Sequence, residues 1–183
     1  MKKILKITGI SLVGILILIV LAAFLLVNKE DLSFESKYNT IRTETLKKDN
    51  ELYVLYIFSP GCPAIETEGQ YMKKDLELLK ANDIKYYLVA DVIYNSKADR
   101  DLDEIRSKYN LQDEEIYLMN KDEFPVNGGL FNNKSRYGAF VKEVTGNPEI
   151  PLGYINHIIM KNGKFVSFAP YLEKGRLPLY KLD

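Results

Sequence analysis

The stretch Tyr53-Val54-Leu55-Tyr56-Ile57-Phe58-Ser59-Pro60-Gly61-Cys62-Pro63-Ala64-Ile65 joins the most apolar strand candidate of the chain to its single cysteine. Tyr53 to Phe58 is a continuous apolar run of strand length with no polar alternation, which suits a strand buried on both faces of a sheet. Ser59-Pro60-Gly61 ends the run in a turn. Pro63 suits the first position of a helix. That reading puts Cys62 at a helix N-terminus, where the dipole and free amides favour a thiolate. Thr67-Glu68-Gly69-Gln70 is a rival capping box that starts the helix four residues later, and Glu66 and Glu68 would oppose a thiolate. The residue three positions after Cys62 is Ile65, so no second thiol completes an internal dithiol cycle. A lone thiolate can attack a disulfide in a partner, forming a mixed disulfide that only an external thiol resolves. The alternative role for a free cysteine is that of a small inert hydrophobe.

Downstream of the cysteine, Met72, Leu76 and Leu79 share one face of a helix that ends near Ala81-Asn82-Asp83. Ile84 to Ala90 is a second apolar strand. Two such strands joined by a helix imply a parallel crossover. Ser96 and Asp99 suggest a capping box before the helically spaced Leu102, Ile105 and Tyr109. Glu115 to Met119 is a short strand candidate. A structureless loop from Asn120 to Pro151 would be unusually long, which predicts a helix within it with Tyr137, Phe140, Val141 and Val144 as its apolar face. Tyr154 to Met160 and Lys164 to Phe168 flank Lys161-Asn162-Gly163, the signature of a hairpin. Upstream, Ser33 could cap a first helix carrying Phe34, Tyr38 and Ile41 and ending at Asp49-Asn50.

Tyr53–Ile65 and His157–Val166 are similar to the first central strand with its active-site turn, and to the closing hairpin, of the thioredoxin-like family. The order of elements over residues 34–169 resembles that family too. The resemblance implies an α/β, three-layer fold with a mixed central sheet and flanking helices, and a role in thiol–disulfide exchange or protein binding. It puts Cys62 in the place of the attacking cysteine, Pro63 and Ala64 between, and Ile65 in place of the resolving cysteine. Gly61 stands where the family often has an aromatic. The cis-proline that precedes the hairpin strand in the family would fall on Ile155, and Pro151 is the nearest candidate, four residues early. The layout is also similar to membrane-anchored thioredoxin-like accessory proteins that accompany bacteriocin export.

Lys2, Lys3 and Lys6 precede an uncharged run from Ile7 to Val27. Its 21 residues would extend about 31 Å as a helix, enough to cross a hydrocarbon core. A cleaved secretory signal is the rival, but Phe24-Leu25-Leu26-Val27 continues past the small residues Ala22-Ala23. The flanking charge predicts residues 1–6 in the cytoplasm, a membrane span over 7–27, a linker over 28–33, the domain over 34–169 outside the membrane, and a tail over 170–183. Removing the three N-terminal lysines from the 25 basic residues leaves 22 against 25 acidic ones, a balance of −3. That outer part has no electrostatic footprint for nucleic acid or for an anionic membrane surface. Abundant tyrosine, no tryptophan and more lysine than arginine fit a bacterial exported protein.

The chemistry elsewhere is sparse. His157 is the sole histidine, in an apolar strand pattern without a ligand at metal spacing, and reads as structural. Asp99, Asp101 and Asp103 open like a calcium loop, but Glu104 stands where that loop needs glycine, so they read as an acidic first helical turn. No metal, cofactor or phosphate-loop pattern emerges. Phe124, Phe131, Arg136 and Tyr137 are candidates for a protein- or peptide-binding surface, with packing of the 120–151 excursion as the alternative. The reading that results is a membrane-anchored, extracytoplasmic accessory protein that binds exported or membrane-bound partners. Monothiol oxidoreductase chemistry at Cys62 is the alternative.

Overall fold

β2, Leu52–Phe58, is buried along nearly its whole length, and its side chains alternate between two separate cores. Val54, Tyr56 and Phe58 enter one core; Tyr53, Leu55 and Ile57 enter the other. A strand apolar on both faces requires a helical layer on each side of its sheet. The computed structural model, which describes residues 13–19, 21, 30–126, 136–147, 150 and 155–169, has those layers. The elements run β1 (Thr40–Ile41), α1 (Thr43–Lys48), β2, α2 (Ile65–Ala81), β3 (Lys85–Ala90), α3 (Ala98–Lys108), β4 (Ile116–Met119), α4 (Tyr137–Thr145), β5 (Ile155–Lys161) and β6 (Lys164–Ala169).

These strands form one mixed sheet in the order β1-β4-β3-β2-β5-β6. The first four are mutually parallel, and β5 and β6 are antiparallel additions. Central β2 sets Tyr56 opposite Leu88 of β3 on one side and His157 of β5 on the other. Met72, Leu76 and Leu79 of α2, with Leu102 and Ile105 of α3, cover the face that carries Val54, Tyr56 and Phe58. Leu46 of α1 and Tyr137, Phe140, Val141 and Val144 of α4 cover the opposite face. Each of those buried apolar side chains contributes roughly 1.5–3 kcal/mol. The helix anticipated inside the irregular segment is α4, with the four expected residues buried. The hairpin turns on Asn162 and Gly163, at φ 54° and 66°, both left-handed as a tight two-residue turn requires. A Cβ at Gly163 would also lie 2.1 Å from the carbonyl oxygen of Lys47, so the close approach of α1 demands glycine there.

Two expected helical features change. No helix starts at Ser33, whose hydroxyl donates to Asp31 at 2.6 Å. Tyr38 and Ile41 point into opposite cores, which a helix could not arrange for residues three apart. Ile41 instead pairs with Met119 in the two-residue β1, and only Thr43–Lys48 is helical. The Ser96–Asp99 capping box does not form either: α3 begins at Ala98 without a side-chain cap. The Asp99 carboxylate accepts from the Ser36 hydroxyl and, at 3.1 Å, from the Lys37 amide, because it ties the segment before β1 to α3. Within the anticipated membrane span, residues 13–19 and 21 are helical and exposed. No helix among the described residues is long and apolar enough to cross a membrane. The remainder of that span and the tail 170–183 lie outside the described residues.

Candidate functional site

β2, β3 and β4 run parallel, so the loops that follow them gather at one edge of the sheet, where open sheets hold ligands. Between those loops lies a cleft of about 390 Å³, lined by Ser59, Pro60, Gly61 and Cys62 after β2 and by Asp91, Val92, Ile93, Asn95 and Lys97 after β3. Cys62 is half-buried. Its amide donates to the Ser59 carbonyl at 3.1 Å, closing the turn, and its carbonyl accepts from the Ile65 amide at 3.0 Å. α2 therefore starts at Ile65 with Ala64 as its N-cap, between the two starts the sequence allowed. The amides of Ile65, Glu66, Thr67 and Glu68 donate to the carbonyls of Cys62, Pro63 and Ala64, so they are engaged within the chain. A Cβ at Gly61 would meet nothing within 4 Å, which leaves open space beside the turn. Glu66 pairs with Lys108 of α3.

The second wall is built from distant parts of the chain. Arg136, just before α4, is 3% exposed and lines the cleft. Its Nη1 donates to the Val92 carbonyl at 2.9 Å, its Nη2 pairs with Glu30, and its guanidinium stacks 4.8 Å from the centre of the Tyr94 ring. Burial pushes the ionisation of Tyr94 upward, and its hydroxyl donates to the Met119 carbonyl at 2.9 Å. The Asp31 amide donates to the Tyr94 carbonyl at 2.6 Å. Lys121 Nζ donates to the carbonyls of Leu32 and Phe34 at 2.7 and 2.9 Å. Residues 30–34, expected in part as a linker, are thus strapped across the cleft edge.

Of the residues singled out in the sequence, Pro60, Gly61, Cys62 and Arg136 come together at the cleft. Ile65 is 4% exposed and belongs to the α2 core, and its carbonyl accepts from the Tyr109 hydroxyl at 2.6 Å. Tyr137 is buried in the opposite core, and Phe124 packs edge-on against Phe140, ring centres 5.7 Å apart. Pro151 and Phe131 lie outside the described residues. His157 is fully buried, its ring 4.2 Å from that of Tyr56 and its Nε2 3.5 Å from Asp75 of α2. Among the described residues, no group of histidine, cysteine and carboxylate side chains could hold a metal ion. Sequence reasoning missed Glu30, Asp91, Asn95, Lys97 and Asp101 as cleft residues. The signal available was topological: Asp91 follows directly on a parallel strand, and such ends face a binding crevice.

A parallel β2-α2-β3 unit with a cysteine turn between strand and helix, a sheet that continues antiparallel into β5 and β6, and helices on both faces define the architecture as thioredoxin-like. Among solved structures, the chain is similar to a secreted disulfide oxidoreductase from Mycobacterium tuberculosis, at 15% identity over 68% of this chain and 72% of that one, TM-score 0.40. It is also similar to the thioredoxin domain of a thiol-disulfide oxidoreductase from Bacteroides vulgatus, at 14% identity over 68% and 72% of the two chains, TM-score 0.44. Neither a protein-family model nor a curated protein matches the chain.

Proposed function

We propose that this chain is a membrane-anchored, extracytoplasmic thioredoxin-like protein that captures exported or membrane-bound partners through Cys62. The observation that carries the reading is the half-buried Cys62 in a cleft at the carboxyl edge of the sheet, with open space beside it at Gly61. The Cys62 thiolate attacks one sulfur of a disulfide in the partner. The partner's S–S bond breaks, a mixed disulfide to Cys62 forms, and the second partner sulfur leaves as a thiolate that takes a proton from solvent. Ile65 in the resolving place leaves the mixed disulfide standing until an external thiol attacks it and frees Cys62. The anchor is the uncharged run Ile7–Val27, oriented by Lys2, Lys3 and Lys6.

A second reading, binding without thiol chemistry, is favoured by the amides of residues 65–68, which are engaged by carbonyls and not aimed at the sulfur. An aromatic disulfide reagent applied to the folded protein separates the two. Thiol capture predicts rapid release of one chromogenic thiolate per chain, none from Cys62→Ser, and partner adducts cleaved by reductant. Release only in denaturant, with partner binding unchanged in Cys62→Ser, would leave the binding reading alone.

A further inference from the structure

We infer that the Cys62 cleft is held against the bilayer surface and acts on the juxtamembrane segment of membrane-embedded proteins. The inference rests on the anchor reading above and adds the orientation and the partner. Glu30 is at once a cleft-lining residue and the partner of the buried Arg136. The expected span ends at Val27, and three residue steps separate it from Glu30. A fully extended chain covers about 3.6 Å per residue, so Glu30 lies within about 11 Å of the end of the span. That distance is shorter than the length of β2, which reaches about 23 Å across the sheet. The cleft edge therefore faces the membrane, and the opposite edge, where Glu51 precedes β2, faces away.

The strap makes this orientation more than a matter of chain length. Five contacts hold residues 30–34 to the loops around the cleft: Glu30 to Arg136, the Tyr94 amide to Glu30 at 3.4 Å, the Asp31 amide to Tyr94, and Lys121 to the carbonyls of Leu32 and Phe34. Arg136 is charged and almost fully buried, so separating it from Glu30 leaves an uncompensated charge inside the protein. The strap consequently moves with the domain as one unit, and only residues 28 and 29 separate it from the end of the expected span. The charged residues lining the cleft are Glu30, Asp91 and Asp101 against Lys97 and Arg136, a balance of −1. Such a lining does not attract anionic lipid headgroups, whereas a peptide segment carrying a disulfide meets both the cleft and Cys62.

The full-length chain in vesicles tests this, with a fluorophore on Cys62 and, in a Cys62→Ser background, on Glu51→Cys. Nitroxide on the lipid headgroups is expected to quench the Cys62 probe several-fold more than the Glu51→Cys probe. A long Gly-Ser insertion after Asn28 should erase the difference. Membrane-spanning peptides carrying an activated mixed disulfide just outside the bilayer should form adducts with Cys62 faster than peptides carrying it far from the surface. A chain that does not float with vesicles overturns both the anchor and this orientation. A chain that floats but shows equal quenching at the two positions, or faster reaction with the distant disulfide, overturns the orientation and partner alone.

Discussion

At the residue scale, the proposed thiol capture turns on Ile65, which stands where the resemblance to the thioredoxin-like family implies a second cysteine. Ile65 is the first residue of α2 and its amide donates to the Cys62 carbonyl, so the two side chains sit one helical turn apart. Its 4% exposure shows that the position serves the core. Ile65→Cys should therefore have two effects. Loss of buried apolar volume lowers stability by about 1–2 kcal/mol. Under the proposed capture by Cys62, the new thiol supplies a resolving partner, so the mixed disulfide becomes transient and turnover of a disulfide substrate replaces a stable adduct. Single-turnover and steady-state assays with the same substrate measure the change. A variant that folds and still stops after one adduct would show that the geometry of this turn, and not the missing sulfur, blocks the cycle. The sequence made this position legible because spacing along a turn is local. It gave no sign of the Glu30–Arg136 pair, whose members stand 106 residues apart and meet only in the fold.

Among the elements, the start of α2 decides where Cys62 sits, and α3 holds that start in place. Tyr109 at the end of α3 donates its hydroxyl to the Ile65 carbonyl, and its ring lies over Gly69 of α2. A Cβ at Gly69 would come within 2.4 Å of the Tyr109 ring. In an open helix, glycine to alanine stabilises by up to about 1 kcal/mol. Here Gly69→Ala must displace a buried ring and break its hydrogen bond, and the expected outcome is a loss of about 1–3 kcal/mol with a change in Cys62 alkylation rate. Thermal melts and alkylation kinetics of the same variant report the two effects. An increase in melting temperature would show that Tyr109 does not hold α2. Elements whose apolar pattern repeats over several turns or a full strand, such as β2, α2 and α4, were legible from sequence. β1 was not, because two residues carry no period, and the spacing of Phe34, Tyr38 and Ile41 matched a helix while the chain ran extended into two cores. The 120–151 aromatics were legible as apolar but not as surface or core, since either use has the same composition.

Over the molecule as a whole, stability depends on pH through carboxylates that link layers, and Glu114 is the most deeply placed. It is 4% exposed between α3 and β4. Lys80 of α2 donates to one of its oxygens at 2.8 Å, and the Tyr86 hydroxyl of β3 donates to the other at 2.5 Å. Burial alone would raise its pKa, but the bonds from Lys80 and Tyr86 outweigh burial and hold the carboxyl below its ordinary value. A carboxylate depressed in the folded state stabilises the fold fully above its unfolded pKa, about 4.3. That contribution disappears as pH falls through the lower folded-state value. Asp49, held down by Lys85 and Tyr87 against its own burial, and Asp103, held down by Lys37 and Tyr38, act in the same direction. Glu114→Gln keeps the shape but removes the charge, and at pH 7 it should cost about 1–3 kcal/mol because Lys80 and Tyr86 lose a charged acceptor. Urea midpoints of the two proteins should begin to converge once the pH falls below about 4.3, where the unfolded carboxyl takes up its proton, and the gap should close as the folded carboxyl does the same. A gap that stays constant from pH 7 to 3 would mean that Glu114 contributes through packing rather than charge, and the acid sensitivity would have to be assigned to Asp49 and Asp103.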